Sequence, residues 1–153
     1  MSLSMYQASV PVLVRALKNL LVVLHKGEAF AGAKKIDASV LINARLAPDM
    51  FALARQVQIA TDIARRGVAR LAGVEPEKVE DKEQTFAELA DRIRQTIANL
   101  ESYQPQQIDG SEGKRLVIEA GGNKLNFTGQ EMLLSFTIPN VFFHCTEIGR
   151  AHV

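Results

Sequence analysis

Four stretches of the chain carry apolar residues at every third or fourth position, and this spacing limits the possible folds more than any other feature. It places the apolar side chains on one face of a helix, which is then buried against other helices. The stretches cover residues 6–24, 48–71, 86–100 and 132–143. In a chain of 153 residues, four such helices with short-to-medium connections predict an up-down four-helix bundle.

Short polar motifs predict where these helices begin and end. A capping box, in which a hydroxyl residue is followed three positions later by Gln or Glu, occurs at Ser4–Gln7, Thr85–Glu88 and Thr128–Glu131. Gly27 is predicted to end the first helix, where His25 would complement the negative end of the helix dipole. Pro48 suits the first turn of the second helix, and Gly73 is predicted to end it.

Other residues predict shorter or irregular elements. Pro11 lies inside the first apolar stretch, so that helix either becomes regular only after it or is kinked there. Pro139 is predicted to kink the fourth helix for the same reason. Asp37 is predicted to cap a short helix over residues 38–43. Residues 75–84 are acidic and predict a solvent-exposed loop.

A β-hairpin is predicted before the last helix. Apolar and mostly polar residues alternate over residues 116–127, on either side of Gly121 and Gly122, which tolerate the positive φ of a tight turn. Because an isolated two-stranded ribbon is marginally stable in water, we expect it to lie on the helices. The predicted fold class is therefore all-α, an up-down four-helix bundle with one small β-hairpin.

The charge balance argues against nucleic acid and anionic membranes as partners. The 18 Lys and Arg residues are offset by 17 Asp and Glu residues, giving a formal net charge of +1. Such partners favour clustered basic residues, whereas Lys34-Lys35 and Arg65-Arg66 are isolated pairs that we interpret as solvated surface. A solvent-exposed face is also predicted for the third helix, from its charged and amide residues Asp91, Arg94 and Gln95.

Cysteine usage and the N-terminus favour the cytoplasm. Cys145 is the single cysteine, so no internal disulfide indicates an oxidising compartment. No basic segment precedes an apolar run with a cleavage site at the N-terminus. The most apolar segment, Val10 to Leu24, contains Arg15 and Lys18 and is expected to be too interrupted to span a bilayer.

Two of the helices carry more apolar residues than one buried stripe requires, which predicts a homodimer. The additional residues lie on the first and second long helices and are Val12, Val22, Val23, Phe51, Ile59 and Ile63.

Several segments resemble a bacterial family known only as a domain of unknown function. They are residues 43–51, 53–58, 71–74 and 127–129, together with Pro139-Asn140 and Phe143-His144. The resemblance extends over almost the whole chain, to about Thr146. This family is grouped with the DinB and YfiT-like four-helix proteins, so the resemblance implies the bundle and commonly a homodimer. Many members of that group bind a divalent metal through three histidines, and some are thiol-dependent transferases.

The histidine triad that the resemblance implies is incomplete in this chain. The family pattern takes one histidine from the second helix and a His-x-x-x-His pair from the fourth. The fourth helix offers His144, but Ile148 stands four residues further on, and the second helix has Gln56 and Gln58 where a histidine is expected. Because a neutral amide is a weak ligand, we predict no bound cofactor. A divalent zinc or nickel ion, with His144 as the only candidate ligand, is the alternative.

Four residues are candidates for a ligand site: His144, Gln58, Arg55 and Asp62. As a metal ligand or general base, His144 would need Gln58 or Asp62 as a partner. The favoured interpretation is a partly buried polar residue satisfied by one hydrogen bond. Arg55 either anchors an anionic ligand or pairs with Asp49 or Asp62, and pairing is the favoured interpretation.

Cys145 beside His144 suggests a nucleophile and its base. Neighbouring helical residues project about 100° apart and do not face each other, so a buried apolar cysteine is favoured. No catalytic residue is assigned. Two functional hypotheses follow: a non-catalytic protein that dimerises or binds a small ligand, and a divergent metal-dependent enzyme related to the thiol transferases. The incomplete triad favours the first.

The last six residues are predicted to be a non-native tail following a single domain over residues 1–147. Relatives of this type continue the fourth helix with a different segment, whereas residues 148–153 match one translated frame of a sequencing-adapter oligonucleotide. Gly149 is expected to interrupt the helix. Under this interpretation His152 has no function.

Overall fold

The computed structural model describes residues 3–152, except for the side chains of residues 120 and 150–152. The long helices are α1 (Met5–Lys34), α3 (Leu53–Ala72), α4 (Phe86–Glu101) and α7 (Ile138–His152). The short helices are α2 (Ala38–Ile42), α5 (Pro105–Ile108) and α6 (Gly129–Glu131). A π-helical segment (Met132–Thr137) joins α6 to α7, and two strands, β1 (Arg115–Ala120) and β2 (Asn123–Thr128), precede α6.

The four long helices surround one apolar core. Both α1 and α3 pack against α4 and α7, so α1 and α3 occupy diagonal positions in the bundle. Their apolar stripes meet at the centre, where the fully buried side chains include Leu13, Leu17, Val57, Ile93 and Val141. This arrangement confirms the predicted four-helix bundle with a hairpin before the last helix.

The predicted helix starts are confirmed wherever a capping side chain is present. All three capping boxes form, at Ser4 with Gln7, Thr85 with Glu88 and Thr128 with Glu131. Asp37 accepts a hydrogen bond from the Ser39 amide and caps α2. These contacts lie within four residues of each other along the chain, so local sequence is sufficient to specify them.

The predicted end of the first helix is wrong. α1 continues through Gly27 to a C-cap at Lys35, whose φ is 54° and whose amide donates to the Ala31 and Gly32 carbonyls. A glycine inside a helix costs only about 1 kcal/mol. Gly27 lies on the buried face together with Leu24, and the burial gained by continuing this face outweighs that cost. His25 consequently lies inside the helix, and its predicted dipole role is also wrong.

Both helix prolines are accommodated without ending a helix. α1 begins at Met5, so the alternative in which it becomes regular only after Pro11 is excluded. Before Pro139 the helix widens into the π-helical segment, where the Ile138 amide donates to the Leu133 carbonyl, five residues back. The irregularity predicted at this proline therefore takes the form of π-helical turns.

The predicted start of the second long helix is five residues too early. The helix begins at Leu53, and the preceding residues form a turn in which the Leu53 amide donates to the Ala44 carbonyl at 3.1 Å. Pro48 is compatible with the first turn of a helix, but it is equally compatible with a tight turn. The choice depends on long-range packing, which the local sequence does not contain.

The hairpin forms with its turn at the predicted glycines. Arg115 pairs with Thr128 and Ala120 with Asn123, and the turn glycines Gly121 and Gly122 have φ of 57° and 78°. Ile118 on β1 is buried against the helices, whereas its neighbour Val117 points to solvent. The hairpin therefore lies with one face on the bundle, as its marginal stability in isolation requires.

By length and composition alone, α1 could cross a membrane. Its most apolar window of 18 residues has a mean hydropathy of 1.5. The expectation that Arg15 and Lys18 make the segment too interrupted is therefore not supported by composition. A core helix has the same properties, and 44% of this window is buried in the bundle.

The last helix continues past the point where an interruption was expected. α7 extends through Gly149 to His152, so Gly149 does not end it. Ile148 is only 1% exposed and belongs to the apolar core. The side chains of residues 150–152 and the whole of Val153 lie outside the described residues, and so does the expectation for the His152 side chain.

Candidate functional site

His144 on α7 faces Gln56 on α3, and both side chains are buried. The imidazole Nδ1 lies 2.5 Å from the Gln56 side-chain oxygen. Because an amide oxygen only accepts hydrogen bonds, we assign the proton of the neutral ring to Nδ1. Burial lowers the pKa of His144; nearby Arg55 lowers it further, and Glu147 opposes the shift. His144 is therefore held as a neutral ring by one hydrogen bond, and its partner is neither Gln58 nor Asp62.

The surroundings of His144 do not fit a zinc or nickel ion. Its neighbour Gln56 offers a neutral amide, a weak ligand for these metals. Ile148, one turn further along α7, is buried in the core. Across the described residues, no three His, Cys, Asp or Glu side chains are grouped closely enough to hold a metal ion.

Cys145 is partly buried against the apolar core. Burial raises the pKa of its thiol to about 12. A thiol with this pKa stays protonated at neutral pH, whereas the thiolate is the nucleophile. The side chain therefore has the properties of a small apolar residue.

A buried arginine, Arg92 on α4, organises the largest group of polar side chains. Its guanidinium lies 3.0 Å from carboxylate oxygens of Asp62, Asp81 and Glu83, and its Nε donates to the Thr61 hydroxyl at 2.9 Å. Only 4% of the Arg92 side chain is exposed. These five residues, named the Arg92 cluster, join α3, α4 and the loop between them.

Two of the predicted site residues contact this cluster. Arg55 pairs with Asp81, not with the expected Asp49 or Asp62. The Gln58 amide nitrogen donates to Glu83 at 3.0 Å. The loop over residues 75–84 is consequently tied to the helices, and the prediction of a fully solvated loop is wrong at Glu83, whose side chain is largely buried.

The sequence interpretation missed Arg92 because charged neighbours surround it. Asp91 and Arg94 are exposed, as expected for that face. Arg92 lies three residues after Leu89 and four before Thr96, both buried, so it borders the apolar stripe. This position beside the apolar stripe was the feature of the sequence that could have predicted the burial of Arg92. Arg65, interpreted as solvated surface, is also buried, and its guanidinium lies 3.0 Å from Asp62.

A cleft of about 370 Å³ opens between α3, the hairpin and the π-helical segment. We name it the α3–hairpin cleft. Its apolar walls are Ile59, Ile63, Ile118 and Phe136. Arg55 and Asp62, both predicted site residues, also line it, whereas His144 and Gln58 are not among its lining residues.

The cleft also holds two arginines that the sequence interpretation did not single out as site residues, Arg66 and Arg70. Arg66 lies 3.3 Å from Asp62. Within the part of the chain that the structure describes, no carboxylate lies within 4.0 Å of the Arg70 guanidinium. Burial lowers the pKa of Arg70, and so does the positive charge of Arg66, while Glu75 opposes the shift. The signal for both residues was their spacing of four positions on the same helix face as Ile59 and Ile63.

The π-helical segment shapes the end of the cleft. It contributes Phe136 and Thr137, and α3 approaches it closely at Gly67. A Cβ at Gly67 would lie 2.5 Å from the Thr137 methyl carbon, so only glycine allows this approach. Single turns of π-helix occur frequently at functional sites, and this one borders the cleft.

Comparisons with known proteins agree with this architecture. Residues 5–148 match a family described as a domain of unknown function, DUF1993. The chain is similar to a DinB family member protein from Shewanella denitrificans, whose crystal structure was determined at 1.83 Å resolution. The two are 40% identical with a TM-score of 0.84, over 95% of this chain and 83% of that one. A search of curated proteins returned no match. The chain therefore belongs to the DUF1993 family, and its fold is that of the DinB family.

Proposed function

We propose that this protein binds a small organic molecule in the α3–hairpin cleft and does not catalyse a reaction. The observation that carries the proposal is the cleft itself. Its volume of about 370 Å³ falls within the usual range of ligand sites, and four apolar and five charged side chains line it. Arg55 and Asp62, proposed from the sequence as ligand-binding residues, are two of those charged groups.

The environments of the potential catalytic groups support a non-catalytic role. A nucleophile needs an adjacent base or a lowered pKa. Burial instead raises the pKa of Cys145, and the Nδ1 proton of His144 is directed to Gln56. Neither residue is among those lining the cleft. The ligand set around His144 likewise gives no support to the metal-dependent alternative.

Blocking the cleft tests the proposal. We expect octanoate or 1-octanol, added to the isotope-labelled protein, to shift the NMR signals of Ile59, Ile63 and Ile118. In Ile63→Trp the larger ring should fill the cleft and abolish these shifts. Val117→Trp is the matched control, because Val117 is exposed on the other face of the same strand as Ile118. If neither compound shifts cleft signals in the unmodified protein, the proposal is wrong.

We also propose that the protein is a homodimer, with a different surface from the one first expected. Val22 lies on α1 and Ile63 on α3, and these helices are diagonal in the bundle, so the predicted residues do not share one face. Ile59 and Ile63 line the cleft instead.

An exposed apolar patch beside α7 supports the revised surface. Leu46 and Phe51 line a shallow depression together with Glu147. Phe143 lies one turn before Glu147 on the same face of α7. Exposure of these three apolar side chains is 44% for Leu46, 55% for Phe51 and 53% for Phe143. Contiguous exposed apolar residues of this kind mark protein interfaces.

A further inference from the structure

We infer that the ligand of the α3–hairpin cleft is a small organic monoanion, whose carboxylate binds Arg66 and Arg70 while its apolar body lies against Ile59, Ile63 and Phe136. This inference rests on the proposed function and adds the chemical class of the ligand.

The two carboxylates that line the cleft each lie near other cations. Asp62 lies within 3.3 Å of three guanidinium groups, those of Arg65, Arg66 and Arg92. Glu119, the other acid lining the cleft, lies 3.8 Å from Lys124. Three arginines and two acids line the cleft, so its lining side chains carry more positive than negative charge. The cleft therefore has positive charge to offer a ligand.

The position of Arg70 is the strongest indication that the ligand is an anion. It lies four residues after Arg66, so both guanidinium groups emerge from one face of α3, and like charges at this spacing repel. No described carboxylate lies within ion-pairing distance of Arg70, which is partly buried in the cleft wall. A carboxylate between the two arginines would remove this repulsion and accept charge-assisted hydrogen bonds from both.

The dimensions and walls of the cleft limit the rest of the ligand. A volume of about 370 Å³ corresponds to about twelve water-sized groups at roughly 30 Å³ each. A medium-chain or aromatic monocarboxylate, with about ten non-hydrogen atoms, fits this space. Ile59, Ile63 and Phe136 give its body an apolar surface, which a fully polar anion would not use.

Octanoate and 1-octanol, which share an alkyl chain and differ in charge, test the inference. Binding to the cleft is measured by NMR titration at concentrations below micelle formation. We expect octanoate to bind at least about tenfold more tightly than 1-octanol, since hydrogen bonds to a charged group stabilise more than neutral ones. Arg70→Gln and, independently, Arg66→Gln should each remove this preference and leave 1-octanol binding unchanged. Two independent variants are used so that the inference can still be tested if one of them fails to fold.

Arg94→Gln is the matched control, because Arg94 is exposed on α4 and pairs with Asp91 outside the cleft. It should bind octanoate as the unmodified protein does. If the protein binds 1-octanol as tightly as octanoate, the inference that the ligand is an anion is wrong, while the proposed ligand-binding function is unaffected. If inorganic phosphate binds as tightly as octanoate, the inference that the ligand has an apolar body is wrong. If none of the compounds shifts the NMR signals of the cleft residues, both the inference and the proposed function are wrong.

Discussion

At the scale of single residues, burial decides the behaviour of the charged and titratable groups. Arg92 and His144 both lie inside the bundle, but they differ in the groups that offset the cost of burying a polar side chain. Arg92 contacts three carboxylates, whereas His144 has the amide oxygen of Gln56 and remains neutral. Each environment predicts a different experimental signature.

Replacing Arg92 is expected to destabilise the protein strongly. Arg92→Leu removes the buried counter-charge of Glu83 and one of the three cations around Asp62, and breaking a buried pair in this way costs about 3–5 kcal/mol. Urea unfolding monitored by circular dichroism measures the free energy. Arg94→Leu is the control and should change it by less than about 1 kcal/mol, because its ion pair is exposed. An Arg92→Leu effect as small as that of the control would contradict the structural role.

His144 is expected to make stability depend on pH in the acid range. Burial lowers its pKa in the folded state, so the unfolded chain binds the proton more tightly. The folded state should therefore be fully stable above about pH 6.5, the ordinary pKa of histidine, and lose stability as pH falls through the lowered value. NMR titration of the ring should give a midpoint below that ordinary value. A normal or raised midpoint, or the same acid loss of stability in His144→Gln, would refute this.

The donors around His144 also predict a metal-free protein. Purified, untagged protein should contain no stoichiometric zinc or nickel, because Gln56 is a poor partner ligand. Elemental analysis after dialysis is the measurement. Retained metal that disappears in His144→Ala would show that other side chains complete the site and would revive the metal-dependent alternative.

At the scale of elements, close approaches between helices set the geometry of the cleft. α3 meets the π-helical segment at Gly67 and Thr137, where a side chain on α3 does not fit. The π-helical turns also bring Phe136 to the cleft wall. The cleft therefore depends on a contact between residues far apart in the sequence.

Gly67→Ala is expected to destabilise the protein although alanine is the better helix former. The new methyl group would lie 2.5 Å from the Thr137 side chain, and such overpacking costs about 1–3 kcal/mol. Adding Thr137→Ala should recover part of the loss. Gly32→Ala is the matched control: nothing lies within 4 Å of its added Cβ, so it should stabilise by up to about 1 kcal/mol. Equal unfolding free energies for the two alanine variants would exclude the close approach.

At the scale of the whole molecule, the uncovered apolar patch of Leu46, Phe51 and Phe143 bears on assembly. We expect a dimer by size-exclusion chromatography with light scattering at micromolar concentration. Phe51→Glu and Phe143→Glu should each shift it toward the monomer, because a charge buried at an interface is costly. Val117→Glu, at an equally exposed apolar residue on the hairpin, should leave the dimer intact. A monomer in the unmodified protein would end the dimer proposal.

The sequence alone determined the features that arise within a few residues. Helical periodicity, the capping boxes at Ser4, Thr85 and Thr128, and the turn at Gly121-Gly122 depend on local hydrogen bonds and backbone freedom. They were predicted correctly for that reason. The cleft itself was not predicted: Arg55 and Asp62, which line it, were identified only as candidates for a ligand site.

Only the tertiary structure decided the features in which local preferences compete with burial. α1 passes through Gly27 because continuing its buried face outweighs a local cost of about 1 kcal/mol. Arg92 is buried because a loop folds back and brings Asp81 and Glu83 to it. The charge balance at Arg70 likewise depends on which acids reach the cleft. A side chain's burial and its counter-charges are set by distant segments, so no local pattern contains them.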